Sequence, residues 1–87
     1  MTGSPVVELN RAVAVAEAQG PQAGLDIVEG LALEDYLYMH STRGELLRRL
    51  GRTVEARDAY LAALALAHGD TQRRLLLRRL SELDTLP

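Results

Sequence analysis

The groups that could do chemistry in this 87-residue sequence are two histidines, three serines, twelve carboxylates and ten arginines; cysteine and lysine do not occur. His40 and His68 fall on different predicted helices, with no His-Glu-x-x-His spacing or other cluster of ligands, so no metal site is expected. The serines at positions 4, 41 and 81 read as a helix cap, an exposed helix site and a polar face, and no nucleophile elbow surrounds them. Asp26/Glu29 and Glu55/Asp58 are acid pairs three residues apart on faces read as outward, where solvation and dipole compensation account for them. Without lysine there is no P-loop lysine, Schiff base or lysine general base. A catalytic residue, a cofactor and an enzymatic activity are therefore not expected.

Polar residues on otherwise apolar stripes are more informative. Asn10 lies one helical turn from both Val6 and Val13, which places its amide toward a packed side, and Arg43 falls in line with His40 and Leu47. A buried amide or guanidinium must find partners. Asn10, Arg11, His40 and Arg43 are the candidate partner-binding residues, lining a groove formed by the first and third helices. In that role Asn10 bonds a partner's backbone, Arg11 and Arg43 pair with its carboxylates, and His40 lines the groove. An amide bonded to a neighbouring helix end and an arginine snorkelling from the core edge are the structural alternative.

Positioning these residues requires helices. Ser4 as N-cap, Pro5 at the first helical position and Gly20 followed by Pro21 bound a helix over 5–19. Val6, Leu9, Val13 and Ala16 form one apolar stripe on it, and Val7, Ala14, Val15 and Ala18 a second, so it needs cover on more than one face. A second helix is expected over 21–33, with Leu25 and Val28 inward and Asp26 and Glu29 outward. A third spans 35–50 and ends at Gly51. A fourth spans 53–68, with Thr53 as N-cap and Glu55 in its first turn. A fifth, over 70–83 behind Asp70 as N-cap, turns Leu76, Leu77, Leu80 and Leu83 inward and Arg74 and Arg78 away.

The short connections force antiparallel neighbours. The expected fold is all-α: one domain over 1–87, made of two degenerate tetratricopeptide-like hairpins and a C-terminal capping helix. Gly44 and Ala56 are small where two helices approach closely, and the Tyr60 ring is read as filling the space opposite Gly44.

Net charge is −2, yet residues 1–39 carry six acids against one arginine and residues 40–87 nine arginines against six acids. Such asymmetry can orient a partner. A helix-turn-helix at Leu50-Gly51-Arg52 would present Arg57 together with Glu55 and Asp58, and acids on a reading face oppose phosphate contact, so direct nucleic-acid binding is not expected. No apolar run approaches a membrane span and no signal peptide opens the chain, which suggests a cytoplasmic protein.

The segments SPVVELNRAVAVAEAQGPQAGL, TRGELLRRLGRTVEARDAYLAALALA and QRRLLLRRLSEL resemble, in order and spacing, the C-terminal tetratricopeptide-like extension of bacterial extracytoplasmic-function RNA polymerase sigma factors. The resemblance covers residues 4–83. It is most specific over Leu9 to Ala14 and Leu46 to Ala56. His40 and Arg43 stand where a regular tetratricopeptide repeat has apolar or aromatic residues. The resemblance implies a regulatory domain that contacts the sigma regions or core RNA polymerase and so modulates transcription initiation. The regions that bind core polymerase and promoter DNA would lie upstream in the same polypeptide. A generic tetratricopeptide-like scaffold holding a peptide or helix outside transcription is the alternative, and self-association is a further expected partnership.

Overall fold

The computed structural model describes residues 4–85. It is all-helical: α1 Pro5–Gln19, α2 Pro21–Glu29, α3 Leu37–Arg49, α4 Thr53–Ala65 and α5 Asp70–Asp84, with no strand among the described residues. α1 packs on α2 and α3 on α4, α2 joins the two hairpins through α3, and α5 lies against α4.

The helix ends follow from backbone donors and acceptors. The Ser4 hydroxyl accepts from the Val7 N–H at 3.2 Å, and Pro5 occupies the first helical position. Gly20 turns the chain from α1 into α2 at φ 101°. At the second hairpin Gly51 sits at φ 76°. Here the Gly51 N–H donates to the Arg48 carbonyl at 3.0 Å and the Arg52 N–H to the Leu47 carbonyl at 2.9 Å, which is a Schellman termination.

Several boundaries differ from the sequence expectation. α2 stops at Glu29 rather than residue 33, because Gly30 and Leu31 donate three residues back, to Ile27 and Val28, and tighten the last turn. α3 starts at Leu37 rather than residue 35, after a turn closed by the Tyr36 N–H to the Leu33 carbonyl at 3.0 Å. α4 ends at Ala65, where Leu66 and Ala67 again bond three residues back. Thr53 and Asp70 are first helical residues; the caps before them are Arg52 and Gly69.

One core runs through both hairpins, with Leu9, Leu25, Val28, Leu47 and Tyr60 its largest fully buried side chains. Two close approaches define it. A Cβ on Gly44 would lie 2.9 Å from the Tyr60 ring, so the ring occupies the space that the missing side chain leaves. A Cβ on Gly24 would lie 2.7 Å from the Ala12 carbonyl oxygen, so in the first hairpin α1 and α2 meet almost backbone to backbone. Each hairpin thus carries a small pair at the same spacing, Ala12/Gly24 and Gly44/Ala56.

The faces of the outer helices need correction. On α1 the buried residues are Leu9, Ala12 and Ala16, while Val6, Val7 and Val13 are exposed, Val7 at 55%. On α5 only Leu76 and Leu83 are buried; Leu80 is partly covered and Leu77 lies 49% exposed, because α5 packs chiefly on α4 along one narrow face.

Candidate functional site

The apolar surface that the core leaves open is a groove of about 260 Å³ between α1, α3 and α5. α1 contributes Val13, Ala16 and Glu17 as one wall, and α5 contributes Leu75, Leu76 and Arg79 as the other. The floor is α3, where Tyr38, Thr42, Glu45 and Arg49 recur at helical spacing beside Ser41 and Leu46, with Tyr60 of α4 beneath. Most of its surface is apolar.

Several of its polar groups are tied down. The Tyr60 hydroxyl donates to Glu45 Oε1 at 3.0 Å, satisfying the phenol of a ring only 1% exposed. Arg48 pairs with the other Glu45 oxygen, Arg79 Nε lies 3.7 Å from Oε1, and Arg79 also donates to Glu82 at 3.0 Å. Burial pushes the Glu45 carboxyl up, but hydrogen bonds from Arg48 and Tyr60 and the charges of Arg48 and Arg79 outweigh it, holding the group below its ordinary range. Burial and the adjacent Glu45 charge push Tyr60 up to about 12. Across the α1 wall, Arg49 pairs with Glu17 at 3.2 Å.

The four residues singled out from sequence do not come together in this groove. Asn10 is exposed on α1 instead of turned to the packed side. It shares a stripe with Val13 and Glu17, one turn beyond the lined stretch. Arg11 is exposed on another side of α1 and pairs with Glu8 at 2.9 Å. His40 and Arg43 occupy the side of α3 turned toward α2: His40 Nε2 lies 2.7 Å from the Glu34 carbonyl, and Arg43 Nε donates to Glu29 at 2.7 Å. Both brace the connection between the hairpins. The groove between α1, α3 and α5 is lined by a different set of side chains.

The residues that sequence reasoning passed over are Tyr38, Glu45, Arg49, Leu75 and Arg79. One signal pointed to Glu45. A buried Tyr60 needs an acceptor for its hydroxyl, and Glu45 is next to the very Gly44 against which the ring packs. His68 stands apart, beside a more polar hollow lined also by Asp35, Tyr36 and Gln72. Among the described residues no three histidine or acidic side chains are grouped so as to hold a metal ion. No described helix is long and apolar enough to cross a membrane.

No known family model matches the chain, and no solved structure matches it. An uncharacterized protein of Rhizobium meliloti (strain 1021) is 46% identical over 86 residues, which is 97% of this chain and 20% of that protein. The chain spans about a fifth of the length of the curated relative it resembles.

Proposed function

We propose that the chain is a non-enzymatic, cytoplasmic protein-interaction domain that modulates transcription initiation, as the extension of an extracytoplasmic-function sigma factor, by contacting the sigma regions or core RNA polymerase. The observation that carries the binding role is the apolar groove between α1, α3 and α5, with Leu75 51% exposed on one wall and Val13 36% exposed on the other. Small domains keep such contiguous apolar surface where another chain covers it. Resemblance of the three quoted segments to that extension supports the transcriptional assignment. The length of the Rhizobium meliloti relative leaves room for further regions in the same polypeptide. A groove of this kind serves equally well in a tetratricopeptide-like scaffold outside transcription, which is the second reading.

The two readings separate in a co-purification assay with the chain as bait, against core polymerase and against sigma regions offered individually. Retention of either one, lost in Val13→Asp and Leu75→Asp, is expected. Both positions are exposed enough that the substitutions spare the core. Retention of neither component would sink the transcriptional reading, and retention unaffected by both substitutions would remove the groove from it.

A further inference from the structure

A buried hydroxyl stands without a partner in the floor of the groove. Apart from Tyr60, Thr42 is the only buried residue among those described whose side chain carries a hydrogen-bonding oxygen or nitrogen, and it is 8% exposed. A helical threonine can donate to the carbonyl four residues back. For Thr42 that is the Tyr38 carbonyl, which already receives the Ser41 hydroxyl at 3.2 Å besides its N–H partner in the helix. The other polar side chains of α3 bond elsewhere, His40 to Glu34, Arg43 to Glu29 and Glu45 to Tyr60, and among the described residues none reaches the Thr42 hydroxyl. Arg48 Nε is the side-chain atom there that is both sealed and unpartnered. The Thr42 oxygen instead keeps an opening, and that opening is the groove.

The surroundings limit what can meet this hydroxyl. Val13, Ala16, Leu46 and Leu76 make the walls apolar. The charged lining residues offset one another, Glu17 with Arg49 and Glu45 with Arg79, so the groove presents little net charge to a ligand. Its volume of about 260 Å³ lies below the roughly 300 Å³ at which drug-sized sites begin, and suits one large side chain. An aliphatic or phenylalanine side chain would fill that space but shut the hydroxyl off from water with nothing to bond. Tryptophan offers only a donor, whereas the Thr42 proton needs an acceptor. A tyrosine phenol accepts as well as donates, carries no charge, and brings a ring to the apolar walls.

We infer that the groove seats a tyrosine of a protein partner, its ring between Val13 of α1 and Leu75 of α5 and its phenol oxygen accepting from the Thr42 hydroxyl. This rests on the protein-binding reading above and adds the side chain that the groove selects. Aromatic anchors in such pockets carry much of the energy of protein interfaces. The chain's own tyrosines are poorly placed to fill a second copy's groove: Tyr60 is buried and Tyr38 lines the groove itself, which leaves Tyr36, 38% exposed.

The test uses the 87-residue chain and three fluorescein-labelled synthetic helices of about four turns. Each has a leucine stripe around one central position, which is tyrosine, phenylalanine or tryptophan. Binding is read by fluorescence anisotropy. The tyrosine helix is expected to bind about tenfold more tightly than the phenylalanine helix, the scale of one hydrogen bond gained and one buried hydroxyl no longer stranded. Thr42→Val is expected to erase that ratio by weakening the tyrosine helix alone, and Thr42→Ser to keep most of it. Urea unfolding supplies an independent reading: a hydroxyl without a partner in the fold can be removed freely, so Thr42→Val should leave the midpoint as high as in the native chain. A lowered midpoint shows that the hydroxyl serves the fold and overturns the inference. Equal binding of the tyrosine and phenylalanine helices, a tryptophan helix as tight as the tyrosine one, no binding of any, or a ratio that survives Thr42→Val does the same. So does a dimer of the chain that is lost with Tyr36→Phe, which assigns the groove to a second copy. If sigma regions or polymerase are retained by the chain and lost with Leu75→Asp but not with Thr42→Val, the docking role stands and the tyrosine falls.

Discussion

Gly44→Ala should destabilise the protein, although the same change in an ordinary helix interior stabilises by about 1 kcal/mol. The new Cβ would lie 2.9 Å from two carbons of the Tyr60 ring, closer than carbon atoms approach. Neither side can yield easily. The ring is 1% exposed and its hydroxyl is held at 3.0 Å by Glu45, while Gly44 lies in the middle of α3. Overpacking of this kind costs about 1–3 kcal/mol, so the net loss is about 1 kcal/mol after the propensity gain is subtracted. Urea unfolding followed by far-ultraviolet circular dichroism measures it, and a chain of this size should lose about 4–8 °C in Tm per kcal/mol. The decisive arm is a double-mutant cycle with Tyr60→Leu, which removes the ring. In that background Gly44→Ala should recover the stabilisation of an ordinary helix site, giving a coupling energy of about 2 kcal/mol. A stabilising Gly44→Ala in the otherwise native chain, or a coupling near zero, refutes the account of the Gly44–Tyr60 contact.

Gly24→Ala should cost more, above about 2 kcal/mol, because its obstacle is the Ala12 backbone oxygen at 2.7 Å, whereas Gly30→Ala, with only the Ile27 oxygen at 3.6 Å, should be neutral or gain up to about 1 kcal/mol in the same unfolding assay. Glu45 is held below its ordinary value, so its contribution is fully present above the usual carboxylate range and disappears as pH falls through the lowered value; Glu45→Gln should flatten the acid limb of stability against pH. Tyr60 runs the other way, raised from 10.0 to about 12, so its contribution is complete below the ordinary value and is lost as pH rises toward the folded one. That shift corresponds to about 2–3 kcal/mol, and Tyr60→Phe should remove the alkaline loss, with tyrosinate absorbance reporting the ionisation. Hydrogen exchange should find α5 less protected than α3 and α4, since only Leu76 and Leu83 anchor it in the core; equal protection would contradict that ranking.

The helical starts and stops that were legible are those set by one residue's own chemistry. Ser4 offers an oxygen to an unpaired N–H, and Gly20 and Gly51 take positive φ, which other residues adopt at a cost. Gly44 and Tyr60 were legible as a pair because a small residue and a ring at the right spacing imply contact across the hairpin. The early ends of α2 and α4 were not, since Leu31 and Leu33 continue an apolar pattern while packing on the core from non-helical backbone. The site was missed through phase. α3 packs on α4, meets α2 and also floors the groove, so its apolar residues form no single stripe, and a reading that follows His40 and Arg43 selects the side facing α2. The partners that settle the matter, Glu29 for Arg43 and Glu17 for Arg49, lie 14 and 32 residues away in sequence.

The same carboxylate serves the core and the site. Glu45 holds the Tyr60 hydroxyl, which fixes the ring against Gly44, and it faces Arg79 on the α5 wall. The α3–α4 hairpin is therefore a firm floor, since moving it requires breaking the Tyr60–Glu45 hydrogen bond and repacking a ring wedged against Gly44. α5 is held differently, by two buried leucines and by exposed ion pairs such as Arg57–Asp84 that are worth about 1 kcal/mol or less each. A groove with a fixed floor and one lightly held wall keeps the ordering cost of binding confined to that wall. A chain seated over Leu75 would therefore at the same time fasten α5 to the hairpin.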